Sequence, residues 1–119
     1  MNYMIAGPDV QSSIELKKIL NDCGVLDFQG SFTTLRAAEN HILQQPPDLA
    51  FLWLGKAELN AVRLAGEIKR RNPLSKVIFI GDQREDAVQA FEYETDGFLL
   101  TPFSKQKIAL LLNQITGKK

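Results

Sequence analysis

Few residues of this chain have the type and spacing to do chemistry, and each also has a plainer use. Asp9 stands in "GPDVQSS", just after a short apolar start, where a lone carboxylate could hold a cation, cap a helix or meet water. Asp82 follows "KVIFIG", and its spacing from Glu85 fits a helix capping box. Asp48 precedes an apolar run and has no chemical role. His41 has no Cys or second His at metal-ligand spacing and reads as a surface histidine. Cys23 lies on an apolar helical stripe, which predicts a buried and unreactive thiol. It is the only cysteine, so no internal disulfide can form, as befits a reducing compartment. As a phosphate cradle "GPDVQSS" is weak, with one glycine and no basic residue. There is no Gly-rich dinucleotide fingerprint and no Ser/His/Asp set.

The elements that must position these residues are plain. Strands are predicted at Tyr3–Ala6, Leu26–Phe32, Leu49–Leu54, Lys76–Ile80 and Gly97–Leu100. "LAFLWL" and "VIFI" are nearly continuous apolar runs, the mark of strands buried on both faces. Between them, Leu16, Ile19, Leu20 and Cys23 repeat at helical spacing, as do Ala61, Leu64, Ala65 and Ile68, and Ile108, Leu111, Leu112 and Ile115. Leu35, Ala38 and Ile42 give a weaker stripe, and Ala87, Ala90 and Phe91 a short one. Ser12 or Ser13, Thr33 or Thr34, and Ser104 are placed to cap helices. Pro46-Pro47 and Asn72-Pro73 stop the second and third helices. Five strand–helix units with short loops predict an α/β, doubly wound parallel sheet in the order 2-1-3-4-5, flavodoxin-like, as one domain over residues 1–119.

Composition excludes several classes. Lys+Arg and Asp+Glu both total 14, so the chain lacks the positive field of a nucleic-acid binder. The one basic run, Lys69-Arg70-Arg71, ends a helix, where it complements the helix dipole. No run approaches the roughly 18 apolar residues of a membrane span. "MNYMIAGPD" lacks the basic start and the length of a signal peptide, so a cytoplasmic protein is expected. The terminal "TGKK" reads as a linker stub leading to an output domain.

"PDLAFLWL", "AGEIKRRNP", "KVIFIG", "AFEYETDGFLLTPF" and "SKQKIALLL" resemble the receiver domain of bacterial two-component response regulators. From Pro47 to Leu112 the register holds without a gap, and "DGFLLTPF" is the most specific part. The resemblance implies a phosphoaccepting aspartate after the third strand and an acidic pair after the first that helps hold Mg²⁺. It also implies a Thr or Ser after the fourth strand and a Lys after the fifth. Here those positions are Trp53, Gly7 and Pro8 with Asp9 beside them, Gly81, and Thr101. An indole cannot accept a phosphoryl group, one carboxylate is a poor Mg²⁺ site, and no lysine offsets a phosphate. Trp53 is expected to fill the volume of the lost acid pocket. The family's aromatic switch position falls on Phe98, which without the hydroxyl at position 81 has lost its lever. The resemblance further implies a cis peptide at Thr101-Pro102.

These readings lead to a pseudo-receiver: a phosphorylation-independent signalling domain acting through protein–protein contacts in transcriptional or two-component regulation, with no cofactor and no metal. One alternative is a switch that binds a small molecule in the degenerate pocket. Another is an enzyme on a flavodoxin-like fold. The resemblance also implies pairing through the fourth helix, fifth strand and fifth helix, a face expected to carry Val88, Glu92, Tyr93, Lys105 and Ala109, with Phe98 at its edge.

Overall fold

The computed structural model describes residues 1–24, 27–56, 58–93 and 95–117. Strand β1 (Asn2–Ala6) leads into helix α1 (Val10–Asp22), β2 (Asp27–Phe32) into α2 (Leu35–Gln44), and β3 (Leu49–Trp53) into α3 (Ala61–Arg71). Strand β4 (Lys76–Gly81) leads into α4 (Arg84–Glu92), and β5 (Gly97–Leu100) into α5 (Lys105–Thr116). The five strands are parallel in the order β2-β1-β3-β4-β5, the order the alternation predicts. Leu26, placed in the second strand by its sequence, lies outside the described residues.

Right-handed crossovers in this order put α1 and α5 on one face of the sheet and α2, α3 and α4 on the other. All five residues of β3 are buried, as are Val77 to Gly81 of β4, because both strands lie between two helical layers. The helix stripes supply the matching surfaces through Leu16 and Leu20, Ala38 and Ile42, Leu64 and Ile68, and Ile108 and Leu112.

Asp9 caps α1, one of the uses its position allowed, with its Oδ1 accepting the Ser12 N–H at 2.7 Å, so neither Ser12 nor Ser13 is the cap. Two other helix ends differ from expectation. The capping box of α4 is Gln83 with Asp86, one residue later than Asp82 with Glu85. Cys23 sits past the last turn of α1 as its C-cap, so it is half-buried rather than buried. The short stripe of α4 also fails in part: Ala90 takes the buried position, and Phe91, about 100° further round the helix, is 76% exposed. His41 is half-buried rather than a surface residue, its ring 4.9 Å from Phe32 and its Nε2 donating to Gln29 Oε1 at 3.0 Å. Desolvation lowers its pKa.

Tyr3 lies wholly inside the core between Phe28 and Phe51, ring centroids 5.3 and 6.0 Å away. Its hydroxyl has no partner among the described residues, and burial pushes the phenol up to about 12. A buried donor without a partner is a net cost, so Tyr3→Phe is expected to leave stability unchanged or raise it by about 1 kcal/mol. Urea midpoints of the two proteins check this, and a loss above about 1 kcal/mol would reveal a partner for the hydroxyl.

Candidate functional site

The carboxyl ends of β1, β3, β4 and β5 open into a cavity of about 470 Å³. Doubly wound sheets place their ligands at this edge. Its lining includes Pro8 and Asp9, Ser12 and Glu15 of α1, Trp53 and Lys56, Asp82, and Thr101, Pro102 and Phe103. The structure thus brings Pro8, Asp9, Trp53 and Thr101 of the predicted site to one place, with Gly7 against the Trp53 ring and the Gly81 carbonyl accepting the Thr101 N–H. The Thr101–Pro102 peptide is cis, as expected.

Trp53 closes the floor. It ends β3, is 1% exposed, and meets Phe103 edge to face with centroids 5.8 Å apart. A Cβ on Gly7 would lie 3.0 Å from Cε3 of the indole, so the ring occupies the space a side chain at position 7 would need. Gly81 is tied to a different neighbour. A Cβ there would fall on the Asp86 side chain, 2.9 Å from its Cγ and closer still to its Cβ. That carboxylate folds back over Gly81 because its Oδ2 accepts the N–H groups of Asp82 and Gln83, each at 3.1 Å. It thereby serves the amide of the N-cap Gln83, one of the donors a helix start leaves without an intrahelical partner, and the amide just before it.

Two residues that sequence reasoning did not assign to the site, Lys56 and Asp82, carry its polar contacts together with the predicted Thr101. Lys56 Nζ lies 2.8 Å from Asp82 Oδ2, and Thr101 Oγ1 donates to Asp82 Oδ1 at 2.8 Å. The hydrogen bond from Lys56 holds the Asp82 carboxyl below the usual carboxylate range, against desolvation, with the Thr101 hydroxyl helping. The same bond raises the Lys56 ammonium. Asp82 is therefore a pocket residue rather than part of the capping box, which Gln83 and Asp86 form. Position after a strand was the available signal for Asp82; nothing in the sequence marked Lys56, whose partner is 26 residues away.

A divalent ion of the kind the resemblance implies does not fit these residues. Positions 7 and 8 offer no carboxylate, Asp9 is engaged by the α1 amide, and Trp53 fills the floor. Among the described residues no group of three or more His, Cys, Asp or Glu is arranged to hold a metal.

At the β5 edge, Phe98 is half-buried beside Phe79 of β4 and lines a groove of about 400 Å³ with Leu100, Lys107, Leu110 and Leu111. Val88 and Glu92 are exposed on α4, and Tyr93, its C-cap, turns toward Val62 and Ala65 of α3. Lys105 departs from its expected place. It faces α1, 3.2 Å from Asp22, and half-buried Ala109 follows one turn later on the same side of α5. The residues of α5 that face the β5 edge are instead Lys107, Leu110 and Leu111.

No family model matches the chain. It is 22% identical over 119 residues to the sensory transduction protein LytT of Bacillus cereus, and 24% identical over the same length to the transcriptional regulatory protein LytR of Staphylococcus aureus. Both alignments cover the whole chain and 48% of the relative, so the chain spans about half the length of the curated relatives it matches. Among solved structures, the response regulatory domain of protein mrkE from Klebsiella pneumoniae superposes with a TM-score of 0.86 at 26% identity, covering 98% of this chain and 96% of the other. The receiver domain of the response regulator NarL from Mycobacterium tuberculosis gives 0.79 at 19% identity, covering 98% and 96%. The five-stranded fold and the end-to-end similarity together support a receiver domain of the response-regulator kind.

Proposed function

We propose that this chain is a pseudo-receiver: a cytoplasmic signalling domain that works without phosphorylation, by protein–protein contact, in two-component or transcriptional regulation. An output domain beyond Lys119 belongs to the same proposal. The observation that carries it is Trp53, sealed at the phosphoacceptor position against Gly7 and Phe103. A phosphoryl transfer needs a nucleophile and fixed positive charge for the oxygens. Here the nucleophile is replaced by an indole, position 101 is uncharged, and Lys56 is already engaged by Asp82. Incubation with acetyl phosphate and Mg²⁺ is expected to leave the intact mass unchanged. A stable gain of one phosphoryl group would refute the reading.

The contact surface we assign is the β5 side of the sheet. Val88 and Phe91 of α4, Leu100 of β5 and Leu110 of α5 are all exposed on neighbouring elements, with Glu92 and Lys107 supplying both signs of charge. A self-complementary C2 contact requires such a mixture, and zero net charge leaves little long-range repulsion against it. The expected result is a homodimer in sedimentation at high concentration that Phe91→Glu converts to monomer. A monomer throughout would leave this face to a different protein.

The cavity favours a second reading, a switch that binds a small molecule at the same edge. Thermal shifts with a panel of metabolites test it, and a variant blocked at Ser12 should lose any shift found.

A further inference from the structure

Three loops meet at one side chain. Lys56 follows β3, Asp82 follows β4 and Thr101 follows β5, and the two oxygens of Asp82 are divided between the other two residues. The carboxylate is also well founded. Its own backbone N–H donates to Asp86, and the Thr101 N–H donates to Gly81 O at 2.9 Å. Asp9 and Asp86 act on Lys56 through space, but its hydrogen bond goes to Asp82.

We propose that Asp82 is a built-in staple, whose carboxylate joins the β3–α3, β4–α4 and β5–α5 loops and so fixes the start of α4 against the end of β5 with no added phosphoryl group. The proposal rests on the phosphorylation-independent reading above. The need for a staple follows from α4 itself. Of its nine residues only Ala90 is buried, so packing alone holds the helix weakly and its position depends on how its first turn is anchored. Asp82 adjoins that first turn, and Thr101 adjoins the last residue of β5.

Magnitudes decide where the effect must be sought. The side chains of Lys56 and Asp82 are 30% and 44% exposed, so the pair is partly screened by solvent. Its loss will not unfold the domain. It will change how often the loops and the start of α4 open locally, which amide exchange reads directly.

The test is native-state hydrogen exchange on the full chain, without phosphodonor, at the amides of Gln83 and Thr101. Asp82→Ala is expected to speed both about three- to tenfold, the range expected from loss of one charge pair and one hydrogen bond. The amides of β3 should be unaffected. Lys56→Met and Thr101→Val should each give part of that change, and neither should add anything once Asp82→Ala is present. High salt should move the wild type toward Lys56→Met and leave Asp82→Ala unchanged. Unaltered exchange in Asp82→Ala would overturn the staple. So would a full effect of either partner's substitution in the absence of the carboxylate, or a wild-type profile indifferent to salt. Phosphoryl uptake in the separate acetyl phosphate experiment would defeat the phosphorylation-independent reading without altering these rates.

Discussion

Trp53→Asp is expected to destabilise the domain by about 4 kcal/mol or more and to create no phosphoacceptor. Removing a buried indole costs about 3–5 kcal/mol, because the transfer free energy is lost and the space left behind collapses only in part. Trp53 is 1% exposed, and its ring meets both Phe103 and the backbone at Gly7. The aspartate would then stand in a largely apolar hole, which adds the cost of burying a carboxylate or protonating it. An ordinary domain has about 5–15 kcal/mol in total, so much of the margin disappears. Urea denaturation gives the stability, and intact mass after acetyl phosphate with Mg²⁺ gives the chemistry. Phosphoryl uptake by this variant would mean that Asp9, Lys56 and Asp82 can together replace the missing groups at positions 7, 8 and 101.

Gly81→Ala is expected to cost about 2–3 kcal/mol, a large effect for a single methyl group. The added Cβ falls on Asp86, whose own Cβ is fixed to the helix backbone and cannot swing aside. The first turn of α4 must therefore move, and the Asp82 and Gln83 amides lose their acceptor. Overpacking of this kind typically costs about 1–3 kcal/mol, and loss of a helix cap about 1 kcal/mol. Asp86→Gly removes the clash at its source while giving up the cap. The two substitutions should therefore couple, with Gly81→Ala costing much less in the Asp86→Gly background than alone. Additive urea midpoints across the four proteins would show that position 81 is constrained by something other than Asp86.

What the sequence discloses follows from the range of the interactions involved. Strand order and helix faces come from apolar period, and a period is a local property. "LAFLWL" and "VIFI" could only be strands between two helical layers, and they are β3 and β4. Positions 7, 8, 9, 53, 81 and 101 were legible because strand ends carry them to one edge whatever their side chains are, and 8, 9, 53 and 101 line the cavity there. The contacts within that edge were not legible. Asp82 and Thr101 are 19 residues apart, and no local pattern pairs them. Asp82 and Asp86 both stand near the start of α4, and the helix could be capped with its first turn one residue earlier or later. Lys105 illustrates the same limit on α5. Its type suited a charged interface, but the rotation of the helix turned it to Asp22 instead.

Trp53 has a spectroscopic consequence. It is the only tryptophan of the chain, and it is enclosed at the edge where the β1–α1 and β5–α5 loops converge. The native fluorescence of this protein is therefore a single-site signal rather than an average over many positions. An indole shut away from water emits at shorter wavelength than a solvated one, so the emission colour reports whether that one edge is sealed. The protein carries its own unlabelled optical probe, placed where loop rearrangement or an arriving ligand would first disturb it.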